Sequence, residues 1–155
     1  MKKIVEKLIQ KNKTISTMES CTGGYLVNEI TNIEGASSVL KFSAVTYSNE
    51  YKIKMCVDKN IIETYSVYSI ETAKEMSKKI SDFTNSDYGV GITGKINKKD
   101  PNDLVGEDDL IYLSIYEKEL DKYHFITINA INDTRINNKK MIIEEFIKLF
   151  TSILK

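Results

Sequence analysis

Thr14-Ile15-Ser16-Thr17-Met18-Glu19-Ser20-Cys21-Thr22-Gly23-Gly24 decides how the other residues of this 155-residue chain are read. Thr14 to Met18 reads as a short strand, and Tyr25 to Ile30 reads as a helix. Between them lies a tight turn of polar residues and glycine. Strand, turn, helix is the arrangement that exposes a turn residue at the carboxyl edge of a sheet, where α/β proteins place their ligands. The hydroxyls of Ser20 and Thr22, with the free amides of the next helix, can hold a phosphate or stabilise an oxyanion. Plain helix capping is the commoner use of such residues.

Working outward, residues 2–12 place Ile4, Val5, Leu8 and Ile9 on one helical face. Residues 42–48 alternate as a second strand. Asn49 can cap a short helix carrying Tyr51, Lys52 and Met55. Ser69 is a good cap for a helix over 70–83, with Ala73, Met76 and Ile80 facing inward. Tyr88 to Thr93 is a compact strand whose glycines suggest close backbone approach. Gly94 to Asp109 has no periodicity and holds the only proline, Pro101. Strands at about 110–117 and 122–130 form a hairpin over Lys118-Glu119-Leu120-Asp121. Asp133 or Thr134 caps a last helix with Ile136, Ile143, Phe146, Ile147 and Phe150 on its apolar face. Helices alternating with strands, then a late hairpin, predict one three-layer α/β/α domain over residues 1–155 with a mixed sheet.

Composition narrows the function. The chain is 41% apolar and 28% charged, as soluble globular proteins are. Its 22 basic and 22 acidic residues cancel, which argues against nucleic acid as a partner. No run is long enough for a membrane span and no leader is visible, so a cytoplasmic protein with reduced thiols is expected. Cys21, Cys56 and His124 are too few for a zinc site, and no metal is expected.

Five of the seven glycines fall in two places: Gly23 and Gly24 after the first strand, and Gly89, Gly91 and Gly94 around the 88–93 strand. A sheet-edge pocket needs glycine there so that a ligand can approach the backbone. Turn-making alone accounts for them equally well. Cys21 would need His124 as its partner, and a strand-packing histidine is the simpler account. What remains for a base is lysine, which supplies every basic residue but Arg135. A desolvated lysine can activate a serine hydroxyl. Lys52 is marked out by its strand-to-helix junction after Tyr47-Ser48-Asn49, although composition does not separate it from Lys54.

The core ESCTGG over residues 19–24 resembles the signature of the CinA C-terminal domain family, also known as PncC-type nicotinamide-nucleotide amidohydrolases. The resemblance continues at Glu34-Gly35-Ala36-Ser37-Ser38 and at Val45-Thr46-Tyr47-Ser48-Asn49-Glu50-Tyr51-Lys52. It resumes at Ser69 and its helix, and at Gly89-Val90-Gly91-Ile92-Thr93-Gly94. It implies deamidation of nicotinamide mononucleotide to nicotinic acid mononucleotide and ammonia, without metal or cofactor. By position, Ser20 would be the nucleophile, and Lys52, with Tyr47 nearby, would move its proton. Glu19, Cys21, Thr22, Gly23, Gly24, Thr93, Gly94 and Arg135 would be the substrate-binding set. A nucleotide substrate and a homodimer are the partners it implies.

The chain departs from the pattern after Gly94, where the family continues in a glycine- and proline-rich loop. Here Lys95-Ile96-Asn97-Lys98-Lys99-Asp100-Pro101 follow, and bulky residues cannot take the same backbone path. Lys95, Lys98 and Lys99 read as a solvated basic loop, or as charge replacing amide contacts. The family's late arginine pair is Arg135 and Lys139 here, and lysine is the weaker bidentate clamp. Two alternatives therefore stand beside the amidohydrolase: a Ser-Lys amidase for another small amide, and a catalytically silent nucleotide-binding protein.

Overall fold

The computed structural model describes residues 1–97 and 107–154; the expectations for Lys98, Lys99 and Pro101 lie outside them. The element order is α1 (Lys2–Gln10), β1 (Ile15–Glu19), α2 (Tyr25–Thr31), β2 (Leu40–Val45), α3 (Asn49–Lys54), α4 (Lys59–Tyr65), α5 (Ile70–Thr84), β3 (Tyr88–Gly94), β4 (Leu110–Glu117), β5 (Lys122–Asn129) and α6 (Arg135–Ile153). Five strands make one mixed sheet in the order β2-β1-β3-β4-β5. β2, β1 and β3 run parallel, while β4 and β5 are antiparallel additions at one side.

Alternation along the buried strands separates two apolar cores. Ile15, Val90 and Ile92 pack with Phe146 and Phe150 of α6 and with α1 and α2. Met18 packs on the other side with Met76 and Ile80 of α5. The sheet thus lies between helical layers, as the element pattern predicts.

Local chemistry explains the helix starts. Ser69 Oγ accepts the Thr72 amide at 3.1 Å, and Thr134, one of the two candidates, caps α6. α3 begins one residue earlier than expected, with Ser48 rather than Asn49 as its cap. β2 ends at Val45 rather than running to Ser48, so Thr46 to Ser48 leave the sheet. Two expected inward residues face water instead: Ile9 is 44% and Ile136 is 47% exposed.

Gly89 and Gly91 serve packing, not ligand approach. A Cβ on Gly89 would stand 1.9 Å from Ser77 O, and one on Gly91 would stand 2.2 Å from Ala73 O. These glycines let β3 lie directly against the backbone of α5. A Cβ on Gly94 would meet β4 in the same way, 2.5 Å from Leu110 O.

Candidate functional site

The carboxyl ends of β1, β2 and β3 lie side by side, because Glu19 pairs with Val45 on one flank and Ile92 on the other. Ser20, Thr46 and Thr93 follow immediately. Ser20 is held by its own amide, which donates to Ile92 O at 2.9 Å. Gly23 and Gly24 then turn the chain into α2 with φ of +62° and +90°, values that favour glycine.

Glu19 anchors this turn from beneath. Its carboxylate is wholly buried and accepts three hydrogen bonds, from Thr22 Oγ1 at 2.6 Å, the Leu26 amide at 3.0 Å and the Val27 amide at 2.9 Å. A negative charge at a helix N-terminus is favourable, and here it satisfies the first-turn amides directly. The Glu19 carboxylate and the Thr22 hydroxyl thus bond to each other and to the start of α2, which leaves the Thr22 backbone amide as that residue's free donor. The amides of Thr22 and Gly24 have no acceptor among the described residues.

Lys52 comes to Ser20 from α3. It is 1% exposed, and its Nζ donates to Ser20 Oγ at 3.0 Å and to Thr46 O at 2.7 Å. Burial disfavours the ammonium and lowers the Lys52 pKa from 10.5 to about 8, with the nearby Cys21 thiolate form acting weakly the other way. Lys54 points outward to Glu50 at 2.6 Å, so the helix itself separates the two candidates. A serine hydroxyl bonded to a buried lysine, with no carboxylate bonded to that lysine among the described residues, is an arrangement that can serve as a nucleophile and its base.

Cys21 is 5% exposed, and burial pushes its thiol up to about 12, with the Lys52 and Arg135 charges opposing. That keeps it a thiol and not a nucleophile. His124 lies on β5, three strands from β1, with Nε2 at 2.8 Å from Glu117. The Thr93 hydroxyl donates to Val67 O at 2.9 Å, so it ties β3 to the segment before α5.

Tyr47 is not brought to the pair. Because the carbonyl of Thr46 turns inward to Lys52, the next side chain turns outward, and Tyr47 is 66% exposed. Arg135 is exposed and its guanidinium donates to Ile96 O. Lys139 stands over the turn, with Nζ 3.5 Å from where a Cβ on Gly23 would lie.

Two residues of this region escape a reading of the sequence. Thr46 carries the carbonyl that holds Lys52; the parallel register beside Ser20 is the signal for it. Lys95 is 4% exposed rather than part of a solvated loop. Its Nζ lies 3.6 Å from Asp108 Oδ1 and 4.8 Å from the centre of the Tyr68 ring.

No described helix is long and apolar enough to cross a membrane. The chain resembles solved structures across nearly its full length. A CinA superfamily protein from Klebsiella pneumoniae superposes with a TM-score of 0.89 at 17% identity, covering 99% of this chain and 94% of that one. A competence or damage-inducible protein from Enterobacter asburiae gives 0.87 at 22% identity, with 99% and 95% covered. Relatives named competence-damage inducible protein match in sequence. One from Thermoanaerobacter sp. is 46% identical over 96 residues, and one from Clostridium kluyveri is 39% identical over 114. These matches take in 61% and 72% of this chain but only 23% and 27% of the relatives, so the chain spans about a quarter of their length. The sequence profile of the CinA C-terminal domain matches residues 1–152, and the chain belongs to that family.

Proposed function

We propose that this protein is an amidohydrolase that deamidates nicotinamide mononucleotide through Ser20 and Lys52. The observation that carries the reading is the 3.0 Å contact between Ser20 Oγ and the buried Lys52 Nζ. A lysine titrating near 8 is part-neutral at cellular pH and can accept a proton.

In the first step Ser20 Oγ attacks the carboxamide carbon and its proton passes to Lys52. The tetrahedral oxyanion needs donors, and the unbonded amides of Thr22 and Gly24 lie in the adjoining turn. Lys52 then gives its proton to the departing nitrogen, which leaves as ammonia. Water attacks the resulting serine ester, giving its proton to Lys52, and Ser20 leaves with that proton restored. Lysine thus serves as base and acid twice, and no metal ion enters the steps. Arg135 and Lys139, near the turn, supply positive charge for the substrate phosphate.

One observation favours a second reading, a Ser-Lys amidase acting on another small amide. Lys95 and Ile96, 4% and 2% exposed, fill space with side chains at the start of the segment where the family continues in a glycine- and proline-rich loop. Ammonia release from nicotinamide mononucleotide, set beside a panel of small amides, separates the two. Release from the nucleotide supports the proposal. Turnover of another amide alone supports the second reading, and no turnover of any amide by folded protein removes both.

A further inference from the structure

Thr46 Oγ1 is the one buried side-chain oxygen or nitrogen among the described residues without a hydrogen-bond partner. Buried polar atoms in folded proteins are nearly always bonded, so the exception calls for a use. Its position supplies one. Both backbone groups of Thr46 are committed: the amide donates to Glu19 O at 2.8 Å, and the carbonyl accepts from Lys52 Nζ at 2.7 Å. Thr46 is 1% exposed. Its hydroxyl is therefore held, idle, on the residue that already grips the lysine.

The proton transfer proposed above requires the Ser20–Lys52 contact to reverse. As the base, Lys52 must turn its lone pair to Ser20 Oγ and accept the serine O–H. A neutral amine has two N–H groups and one lone pair. One N–H remains on Thr46 O, and the other loses Ser20 as its acceptor and needs a replacement. We propose that Thr46 is a positioning residue for Lys52: its hydroxyl accepts that second N–H and so aims the lone pair at Ser20. This rests on reading Lys52 as the base. The serine proton moves to the amine and the Thr46 hydroxyl keeps its own, so the step balances with no further reactant.

If the hydroxyl only fills space, valine does the same work, since it has the same shape and leaves both backbone bonds intact. Removing an unbonded buried hydroxyl should also leave stability unchanged or raise it. If the hydroxyl orients the neutral amine, its loss removes a bond made by that form alone and raises the Lys52 pKa. The Cys21 thiol is the ionisable group acting on Lys52 among the described residues, and with a pKa of about 12 it stays neutral through the range needed.

The test is titration of Lys52 by NMR in lysine-labelled protein, assigned with Lys52→Arg, for wild type, Thr46→Val, Thr46→Ala and Thr46→Ser. The expected result is a rise of half a pH unit or more in the valine and alanine variants at unreduced melting temperature, with Thr46→Ser near wild type. Ammonia release at pH 7 should fall about tenfold in the same two variants, with KM little changed and serine restoring the rate. A Lys52 titration unmoved in Thr46→Val and Thr46→Ala overturns the proposal, and so does a serine variant that behaves like valine. If Lys52 shifts as expected but no variant, wild type included, releases ammonia, the positioning role stands and the amidohydrolase reading falls.

Discussion

Lys52, in the helix after β2, and Lys95, directly after β3, are both withdrawn from water at the same end of the sheet, at 1% and 4% exposed. Their ammonium groups meet different neighbours. Lys95 has the Asp108 carboxylate at 3.6 Å and the Tyr68 ring at 4.8 Å. Lys52 has a hydroxyl and a carbonyl. Burial of a charge is costly unless something of opposite sign shares the space. With a carboxylate and a ring the lysine becomes part of the wall. With neutral oxygens as its bonded partners among the described residues, buried Lys52 gives up its proton more readily than a solvated lysine, and the proposed role as base rests on that.

The largest effect separates the two directly. Lys52→Met should lower amide turnover by about a thousandfold or more, as loss of a catalytic base does. Its melting temperature should hold or rise, because an apolar chain of similar length replaces a buried amine whose charge no carboxylate among the described residues neutralises. Lys95→Met should keep most of the turnover. Equal inactivation of the two variants would undo the distinction between them.

Next in size is the support beneath β3. Gly91→Ala drives a methyl group into the Ala73 carbonyl, 2.2 Å away, and should cost about 2–4 kcal/mol of stability by denaturant titration. Activity per folded molecule should survive, since Lys52 reaches Ser20 from α3. A stable Gly91→Ala protein would mean that α5 can move off the sheet.

The pH dependence follows from the Lys52 value of about 8. With Lys52 as the proposed base the neutral amine is the active form, so kcat/KM should climb tenfold per unit below that value and level above it. Stability changes in the same direction. The folded state binds this proton less tightly than the unfolded state, whose lysine titrates near 10.5. Between about 8 and 10.5 the unfolded chain holds more protons, so this group makes unfolding harder as pH rises. Lys52→Met should remove both dependences. A profile that stays flat through 8 in wild type would point to another base.

The smallest effect belongs to Lys54, two residues along the same helix. Its pair with Glu50 is exposed on both sides, so Lys54→Ala should cost no more than about 0.5 kcal/mol and leave turnover unchanged.

Elements with strong periodicity are legible in the sequence alone. Ala73, Met76 and Ile80 sit at helical spacing, and all three are fully buried in α5. The β4–β5 hairpin falls at the expected residues. α4 was not foreseen, because it buries no residue and so has no apolar stripe to read. The end of β2 is hidden from the sequence for a related reason: the strand stops at Val45 and the Thr46 carbonyl bonds Lys52, a tertiary demand with no local pattern. Lys95 shows the limit of reading by composition. A lysine in a polar run looks solvated, whereas its neighbours here include Asp108 and Tyr68, 13 and 27 residues away in the chain. The nearness of Ser20 and Lys52 was foreshadowed by the two strand-end junctions and the family resemblance, whereas the outward turn of Tyr47 required the structure.

The most direct measurement of the central claim is ammonia release from nicotinamide mononucleotide by wild type and Ser20→Ala, with acid-quenched protein digested after Lys13 and Lys41. The account predicts that turnover vanishes in Ser20→Ala. It also predicts that the wild-type peptide 14–41 carries the mass of the substrate less ammonia. Undiminished turnover in Ser20→Ala would contradict it, because the hydroxyl held by Lys52 would then have no part in the reaction.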